Sequence, residues 1–215
     1  MKTETQAGRT FEFAETYEDF RPLYGPTSDL AKRKSLTALD EHCRNFIARS
    51  PFVCLATSEP DSGPADISPR GDHPGFVLIL DANTLFIPDR LGNNRLDSLS
   101  NLIRNAEVGL LFLVPGVDET LRVNGTARIV VGGAILDECI VNNKRPTSGL
   151  LVTVREAFLQ CAKALKRSHL WSPESRIVRT ELPTLGKMLA DQIGVDMPLE
   201  QLDAAIETAY REKLY

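Results

Sequence analysis

The chain has 215 residues, of which 42% are hydrophobic and 25% are charged, and its formal net charge is -4. This length and composition suit one globular core with helical appendages, whereas the acidic balance argues against a nucleic-acid-binding protein, which normally carries a basic face. The start of the chain lacks the apolar segment of a secretory signal, and no later run approaches the ~20 apolar residues of a membrane span, so we expect a cytoplasmic protein with no membrane partner.

The first part of the chain is predicted to be helical. One short helix is expected within residues 14–24, and any disorder is expected within the first ten or so residues. After Ser28, which is a suitable helix cap, apolar side chains recur at helical spacing and predict a helix that packs on a sheet. Its apolar positions are Leu36, Leu39, Cys43, Phe46 and Ile47.

Short apolar runs between turn residues then predict a series of strands. The predicted strands cover residues 52–57, 64–68, 76–80, 84–87, 108–114, 120–130 and 150–158. Residues 108–114 are nearly all apolar, which is typical of a strand buried on both faces, whereas residues 120–130 alternate between apolar and polar side chains. Sequential strands with short connections and one helical insertion favour an antiparallel barrel over a doubly wound parallel sheet. The tail is expected to hold helices near residues 185–192 and 199–212.

Residues 87–105 are predicted to form a strand that turns directly into a helix. Pro88 stops the strand because it cannot donate a hydrogen bond to a ladder. Gly92, Asn93 and Asn94 then form a turn, since glycine and asparagine tolerate a positive φ. Leucines and an isoleucine follow at helical spacing, and Asn93 or Asn94 is the expected helix cap.

The start of this helix has the features of an anion site. Unpaired backbone N–H groups and the helix dipole favour an anion such as phosphate, and Arg90 and Arg95 flank the same end. An arginine in the first helical turn opposes the dipole, and a bound phosphate would compensate Arg95. A second loop, at residues 65–72, supplies Ser68 and Arg70, so two arginine-bearing loops are expected to converge on one anion. The alternative is a surface turn with solvated arginines.

Several ordered motifs in this region resemble the FMN-binding split-barrel proteins related to pyridoxamine 5'-phosphate oxidase. They are Ser-Pro-Arg-Gly-Asp at residues 68–72, Ile-Pro-Asp-Arg-x-Gly-Asn-Asn-Arg-x-Asp-Ser at 87–98, the strand and turn at 108–115, and Glu-Thr-Leu-Arg-Val-Asn-Gly at 119–125. The resemblance covers residues 51–171 and implies a mainly β fold with flanking helices, an antiparallel split β-barrel. The expected organisation is an N-terminal extension (1–27), the FMN-binding domain (28–171) and a helical tail packed on that domain (172–215).

The resemblance also implies that FMN is the cofactor and that the protein is a homodimer with flavin at the subunit interface. Arg95, with the two asparagines and the helix end, would hold the phosphate, because a guanidinium fork matches phosphate oxygens. Ser68 and Arg70 would border the ribityl chain or the ring. The residues assigned to the cofactor are Ser68, Arg70, Pro88, Asn93, Asn94, Arg95 and Lys163.

Lys163 belongs to a basic segment that ends at Trp171. By the resemblance, this segment completes the flavin site of the partner subunit. The alternative from the residues themselves is a solvated basic helix with one packed aromatic side chain.

The implied activity is that of an FMN-dependent oxidoreductase acting on an unidentified small molecule, with NADH or NADPH as a candidate electron donor. No catalytic residue is assigned, and the cysteines, which contain no Cys-x-x-Cys pair, indicate neither a metal site nor a redox pair. The chain departs from the oxidase at Asn94-Arg95, where the oxidase has Arg-Lys, and after Trp171, where its substrate motif is not found. Vitamin B6 oxidation is therefore not expected. Alternatives are a flavin- or haem-binding sensor or storage protein, or a deazaflavin-dependent reductase.

Overall fold

The computed structural model describes residues 1–61 and 63–215, which divide into two compact units, residues 1–35 and 36–215. The first unit contains an antiparallel hairpin and two short helices. These are β1 (Lys2–Gln6), β2 (Arg9–Phe13), α1 (Tyr17–Phe20), which runs into a 3-10 turn at Arg21–Leu23, and α2 (Asp29–Arg33). The capping role of Ser28 is confirmed, because its hydroxyl accepts from the Ala31 N–H at 3.2 Å. The hairpin was not predicted, since all of its residues are exposed and no apolar periodicity marks it.

The second unit is built on a seven-stranded antiparallel sheet in the order β4-β3-β7-β8-β9-β6-β5. Its strands are β3 (Phe52–Ser58), β4 (Ala65–Gly71), β5 (Leu78–Ile79), β6 (Thr84–Pro88), β7 (Glu107–Leu113), β8 (Thr120–Val130) and β9 (Gly149–Gln160). Within the described residues, the edge strands β4 and β5 do not pair with each other, so the sheet is not closed into a barrel. This arrangement is compatible with a split barrel and confirms the predicted antiparallel, mainly β fold with flanking helices.

The helices of the second unit lie beside and after the sheet. They are α3 (Glu41–Ile47), α4 (Asp97–Arg104), α5 (Lys163–Ser168), α6 (Leu185–Ile193) and α7 (Leu199–Glu212), with 3-10 helices at Ala134–Cys139, Pro173–Ser175 and Arg179–Glu181. The two predicted tail helices are therefore confirmed. In the ranges that the structure describes, no helix is both long and apolar enough to cross a membrane. The domain boundaries expected from the sequence stay a prediction.

The predicted continuous helix after Ser28 is wrong. Leu36 exchanges two backbone hydrogen bonds with Ala157, at 2.9 and 2.8 Å, and so lies extended against β9. The helix starts again only at α3, where the Asp40 carboxylate caps it by accepting from the Cys43 N–H at 2.8 Å. The part of β9 beyond its pairing with β6 offers backbone partners, and these hydrogen bonds override the helical spacing of the apolar side chains.

The larger core cluster of this unit lies on one face of the sheet, and a smaller one of Phe86, Leu136 and Cys139 lies on the other face of β6. On β7, Val108, Leu110 and Phe112 are buried, while the side chains between them are only half-buried. The expectation of a strand buried on both faces is therefore wrong, because the second face of β7 is only partly covered. Each fully buried side chain of this size contributes ~1.5–3 kcal/mol relative to an exposed one, so these alternate positions hold the sheet in register.

Candidate functional site

A cleft of about 890 Å³ lies beside β4 and the segment that links β6 to α4. The end of β8, residues 144–148 and the side chain of Tyr215 complete its walls. Small-molecule sites usually have volumes of about 300–1,000 Å³, so this cleft can hold a ligand of cofactor size.

Six of the seven residues assigned to the cofactor line this cleft. They are Ser68, Arg70, Pro88, Asn93, Asn94 and Arg95. The structure therefore brings together the two segments that the sequence predicted to converge, although Ser68 and Arg70 lie within β4 and not in a loop after it. Lys163 lies elsewhere, exposed at the start of α5 and outside the described lining of the cleft, and its assignment to a partner's site stays a prediction.

The turn before α4 differs from the prediction in one respect. The residue that caps α4 is Leu96, in the left-handed region at φ 61°, and no side chain caps the helix by a hydrogen bond. The Asn93 carboxamide instead accepts from the Arg95 N–H at 3.1 Å and so stabilises its own turn. A leucine in this conformation costs about 1–3 kcal/mol, and such strain is commonly found at ligand sites.

Arg95 consequently precedes the helix and does not lie in its first turn. Its Nε donates to Asp97 Oδ2 at 2.7 Å, and this hydrogen bond and the carboxylate charge raise the pKa of the guanidinium. The charge that compensates Arg95 is thus Asp97, in the first turn of α4, where an acidic side chain also suits the helix dipole. The side chain of Arg95 is 73% exposed, so it is free to contact a ligand in the cleft.

Arg70 has an incomplete set of hydrogen bonds. Its Nη1 forms an ion pair with Asp89, and about a fifth of each side chain is exposed. Its Nε is buried and has no hydrogen-bond partner among the residues that the structure describes. A buried donor left unpaired costs about 1–3 kcal/mol, so an acceptor brought by a ligand would stabilise this position.

Arg90, which the sequence placed beside the start of α4, lies in a cluster whose other members were assigned no role. Its Nε donates to Asp72 Oδ2 at 2.6 Å and its Nη1 donates to the Cys139 carbonyl at 2.8 Å. The Asp72 side chain is only 1% exposed, and its Oδ1 accepts from the Tyr215 hydroxyl at 2.7 Å. Burial by itself would raise the pKa of Asp72, but hydrogen bonds from Tyr215, the His73 N–H and Arg90 hold it below its usual value.

The sequence offered uneven signals for this cluster. Asp72 and Arg90 fall inside the motifs at residues 68–72 and 87–98, and Arg90 was expected at the start of α4, whereas Asp72 was given no role. Tyr215 carries no local signal, because its partner Asp72 lies 143 positions away.

Buried polar groups fix the start of α4 against the sheet. Ser98 Oγ donates to Asp66 Oδ2 at 2.6 Å, and Asn101 Nδ2 donates to Thr57 Oγ1 at 3.1 Å. Ser98, Asn101 and Thr57 are all buried. Because a buried polar group is costly to leave unpaired, these bonds specify how α4 lies on β3 and β4.

Cationic side chains outnumber carboxylates in the lining of the cleft. Five cationic side chains line it, Arg70, Arg90, Arg95, Lys144 and Arg145. Three carboxylates line it, Asp66, Asp89 and Asp97. The lining holds two more positive than negative side chains, but Arg90 and Arg145 form ion pairs with Asp72 and Asp137, which lie outside it. The cleft therefore offers guanidinium donors to a ligand without a net positive charge.

Aliphatic side chains at the cleft are unusually exposed. Ile67, Ile103 and Val131 are 71%, 78% and 79% exposed, and all three belong to the lining. Single exposed apolar residues are common on protein surfaces, but a group of them around one site marks a surface that binds a ligand or another protein.

Comparison with known proteins identifies relatives of the fold. The family model described as pyridoxamine 5'-phosphate oxidase matches residues 39–161, which is more than half of the chain. A comparison with curated proteins gives no match.

Similar solved structures include three proteins with identities below 25% and TM-scores below 0.5, too low to transfer any function. One is HupZ from Group A Streptococcus, at 17% identity over 56% of this chain and 93% of that chain, with a TM-score of 0.46. Another is a candidate pyridoxamine 5'-phosphate oxidase from Lactobacillus delbrueckii, at 21% identity over 57% and 95% of the two chains, with a TM-score of 0.45. The third is the FAD binding protein from Mycobacterium smegmatis, at 19% identity over 58% and 97%, with a TM-score of 0.41.

Proposed function

Since this chain belongs to the pyridoxamine 5'-phosphate oxidase family, we propose that it is an FMN-dependent oxidoreductase acting on an unidentified small molecule. The observation that carries the proposal is the buried Nε of Arg70, which has no hydrogen-bond partner among the described residues, in a cleft of cofactor size lined by several arginines. The electron-rich carbonyl and nitrogen acceptors of a flavin match such a donor, and its phosphate matches the guanidinium donors of the other arginines.

The phosphate end of FMN fits the turn before α4. Asn93 and Asn94 line the cleft there, and the helix start has no side-chain cap, so its N–H groups suit a phosphate. Arg95 would exchange its hydrogen bond with Asp97 for a bidentate contact with phosphate oxygens.

The other end of the cofactor fits the β4 side of the cleft. Ser68, Arg70 and Pro88 lie along this wall, and the ion pair with Asp89 fixes the Arg70 guanidinium in place. A bound flavin would supply the redox chemistry itself. The residues of this chain would bind and orient the flavin and, together with the exposed aliphatic side chains, keep water from one side of it.

We further infer that the active form is a homodimer, with the cleft at the interface. Support comes from Ile67, Ile103 and Val131, because a second copy that covered these side chains would remove apolar surface from water. In such a dimer, the basic helix α5 and its Lys163 would reach the site of the partner.

The cofactor is tested by titrating the apoprotein separately with FMN, FAD and haem, followed by mass analysis of the ligand that heat releases. FMN should bind at one molecule per chain, and NADH or NADPH added without oxygen should bleach the flavin bands. Arg70→Met should weaken FMN binding, while Arg155→Met, which removes an exposed arginine paired with Glu107 outside the cleft, should not. Binding of FAD alone, of haem alone or of no ligand would contradict the proposal.

A further inference from the structure

We propose that Tyr215 forms a movable wall of the cleft and positions Arg90, so that it sets how fast a ligand enters and leaves. This inference rests on the proposed function, because the ligand considered is FMN. No motif of the sequence assigns Tyr215 to the site, and the contact joins the residues after α7 to the segment that follows β4.

The contact of Tyr215 is specific to its side chain. Tyr215 is half-buried and lines the cleft, whereas the preceding Leu214 is 62% exposed. The Tyr215 hydroxyl donates to Asp72 Oδ1 at 2.7 Å, and the Asp72 side chain is only 1% exposed. The Tyr215 hydroxyl therefore contacts a buried carboxylate while the residue before it is exposed to water, as expected of a segment held at one point.

Asp72 connects this wall to Arg90. Its two oxygens accept from Tyr215 and from the Arg90 Nε, and Oδ1 also accepts from the His73 N–H at 2.7 Å. Arg90 is fixed on its other side by the Cys139 carbonyl at 2.8 Å. Both ends of the Arg90 guanidinium are thus occupied.

The ring of Tyr215 covers the guanidinium of Arg90. The Cζ atom of Arg90 lies 5.6 Å from the ring centroid, which is within the range of a cation–π contact. Arg90 also lines the cleft, so one cation of the site is shielded on one face by an aromatic ring. A ligand that uses this face of Arg90 must displace the ring.

A hydrogen bond and a cation–π contact can be broken and remade without unfolding the sheet, because neither contact involves a strand. Removing the ring should therefore change the rates of association and release of FMN more than its equilibrium affinity. Removing only the hydroxyl should have a smaller effect, since the ring would still cover Arg90 but would lose its attachment to Asp72.

The first test measures both rate constants of FMN by stopped-flow fluorescence in the full chain. Tyr215→Ala should raise the association and release rates by roughly tenfold each, and Tyr215→Phe by about two- to threefold. Tyr210→Ala, on the exposed face of α7, is the matched control and should leave both rates unchanged. If FMN binds but both rates in Tyr215→Ala stay within twofold of the wild type, the inference is wrong and the proposed function stands.

The second test needs no flavin. In tyrosine-labelled apoprotein, the hydrogen bond to Asp72 should raise the pKa of Tyr215, and Asp72→Asn should return this pKa towards its ordinary value. An unchanged titration of Tyr215 in Asp72→Asn would show that the contact does not form, and would overturn the inference whatever the cofactor is. If the titration shifts as expected but the wild-type protein binds no FMN, the contact between Tyr215 and Asp72 stands. The proposed function and the predicted effect of Tyr215 on the rates of FMN binding are then both contradicted.

Discussion

Arg95 and Asp97 form an ion pair at the N-terminus of α4, with 2.7 Å between the Arg95 Nε and Asp97 Oδ2. The pair joins the one arginine of the Asn-Asn-Arg turn to the first residue of the helix. Because both side chains are largely exposed, the pair itself contributes little to stability. The pair matters because a phosphate bound at this helix start would compete with the Asp97 carboxylate for the guanidinium of Arg95.

Replacement of Arg95 by alanine should weaken FMN binding by roughly tenfold, because a charge-assisted contact with the phosphate is lost. Isothermal titration of the apoprotein with FMN measures the change. Arg104→Ala is the matched control, since Arg104 pairs with Glu59 at 2.7 Å and does not line the cleft. Equal dissociation constants for the wild type and the Arg95 variant would contradict the phosphate assignment.

Asp97→Asn should have the opposite effect. The amide keeps the shape of the carboxylate but removes the charge that holds Arg95, so FMN should bind a few-fold more tightly. The gain should disappear in the Arg95→Ala background, because the two residues act through one contact. A gain that persists in the double variant would show that Asp97 repels the ligand directly.

The exposed aliphatic side chains at the cleft should hold two subunits together. Ile103 is 78% exposed in the single chain, so Ile103→Glu should leave the fold of each subunit intact. The new charge would be buried in the dimer interface, so the protein should shift from dimer to monomer and bind FMN more weakly. Ile177→Glu, at an exposed position outside the cleft, should change neither property. Light scattering at several protein concentrations, with and without FMN, measures the oligomer. A wild-type monomer that binds FMN tightly would contradict the dimer and the role of Lys163.

Pyridoxamine and pyridoxine phosphates should not be oxidised at a useful rate. The chain has Asn94-Arg95 where the oxidase has Arg-Lys, and the substrate motif of the oxidase is not found after Trp171. Formation of pyridoxal phosphate under air can be followed by its absorbance, with an authentic oxidase run in parallel. A clear yield from this protein would show that its C-terminal segment had been misinterpreted.

Asp72 should stabilise the fold at neutral pH and lose this effect in acid. Its folded-state pKa lies below the ordinary value of 3.8, so its contribution is present above that pH and is lost as the pH falls through the folded-state pKa. Asp72→Asn also leaves Arg90 without its carboxylate, and we expect a loss of about 3 kcal/mol in the free energy of unfolding at pH 7. Urea denaturation should show this difference shrinking below about pH 3.8. A difference independent of pH would show that the carboxylate charge is not involved.

The sequence by itself determined the strands of the second unit, the tail helices and six of the seven residues assigned to the cleft. Alternating and helical apolar patterns depend on neighbouring residues, so they predicted β8 and α7 with nearly the observed bounds. The ordered motifs placed Ser68, Arg70 and the Asn-Asn-Arg turn together, because each directly ends a strand or precedes a helix.

Only the tertiary structure decided which partners these groups take. Leu36 left its helical pattern because the edge of β9 offered backbone hydrogen bonds, and Leu96 became the cap of α4 because the Asn93 side chain was used within its own turn. The contact between Tyr215 and Asp72 joins residues 143 positions apart. Such contacts form only when the packed sheet brings segments that are far apart in sequence close together in space, and no local pattern of residues predicts them.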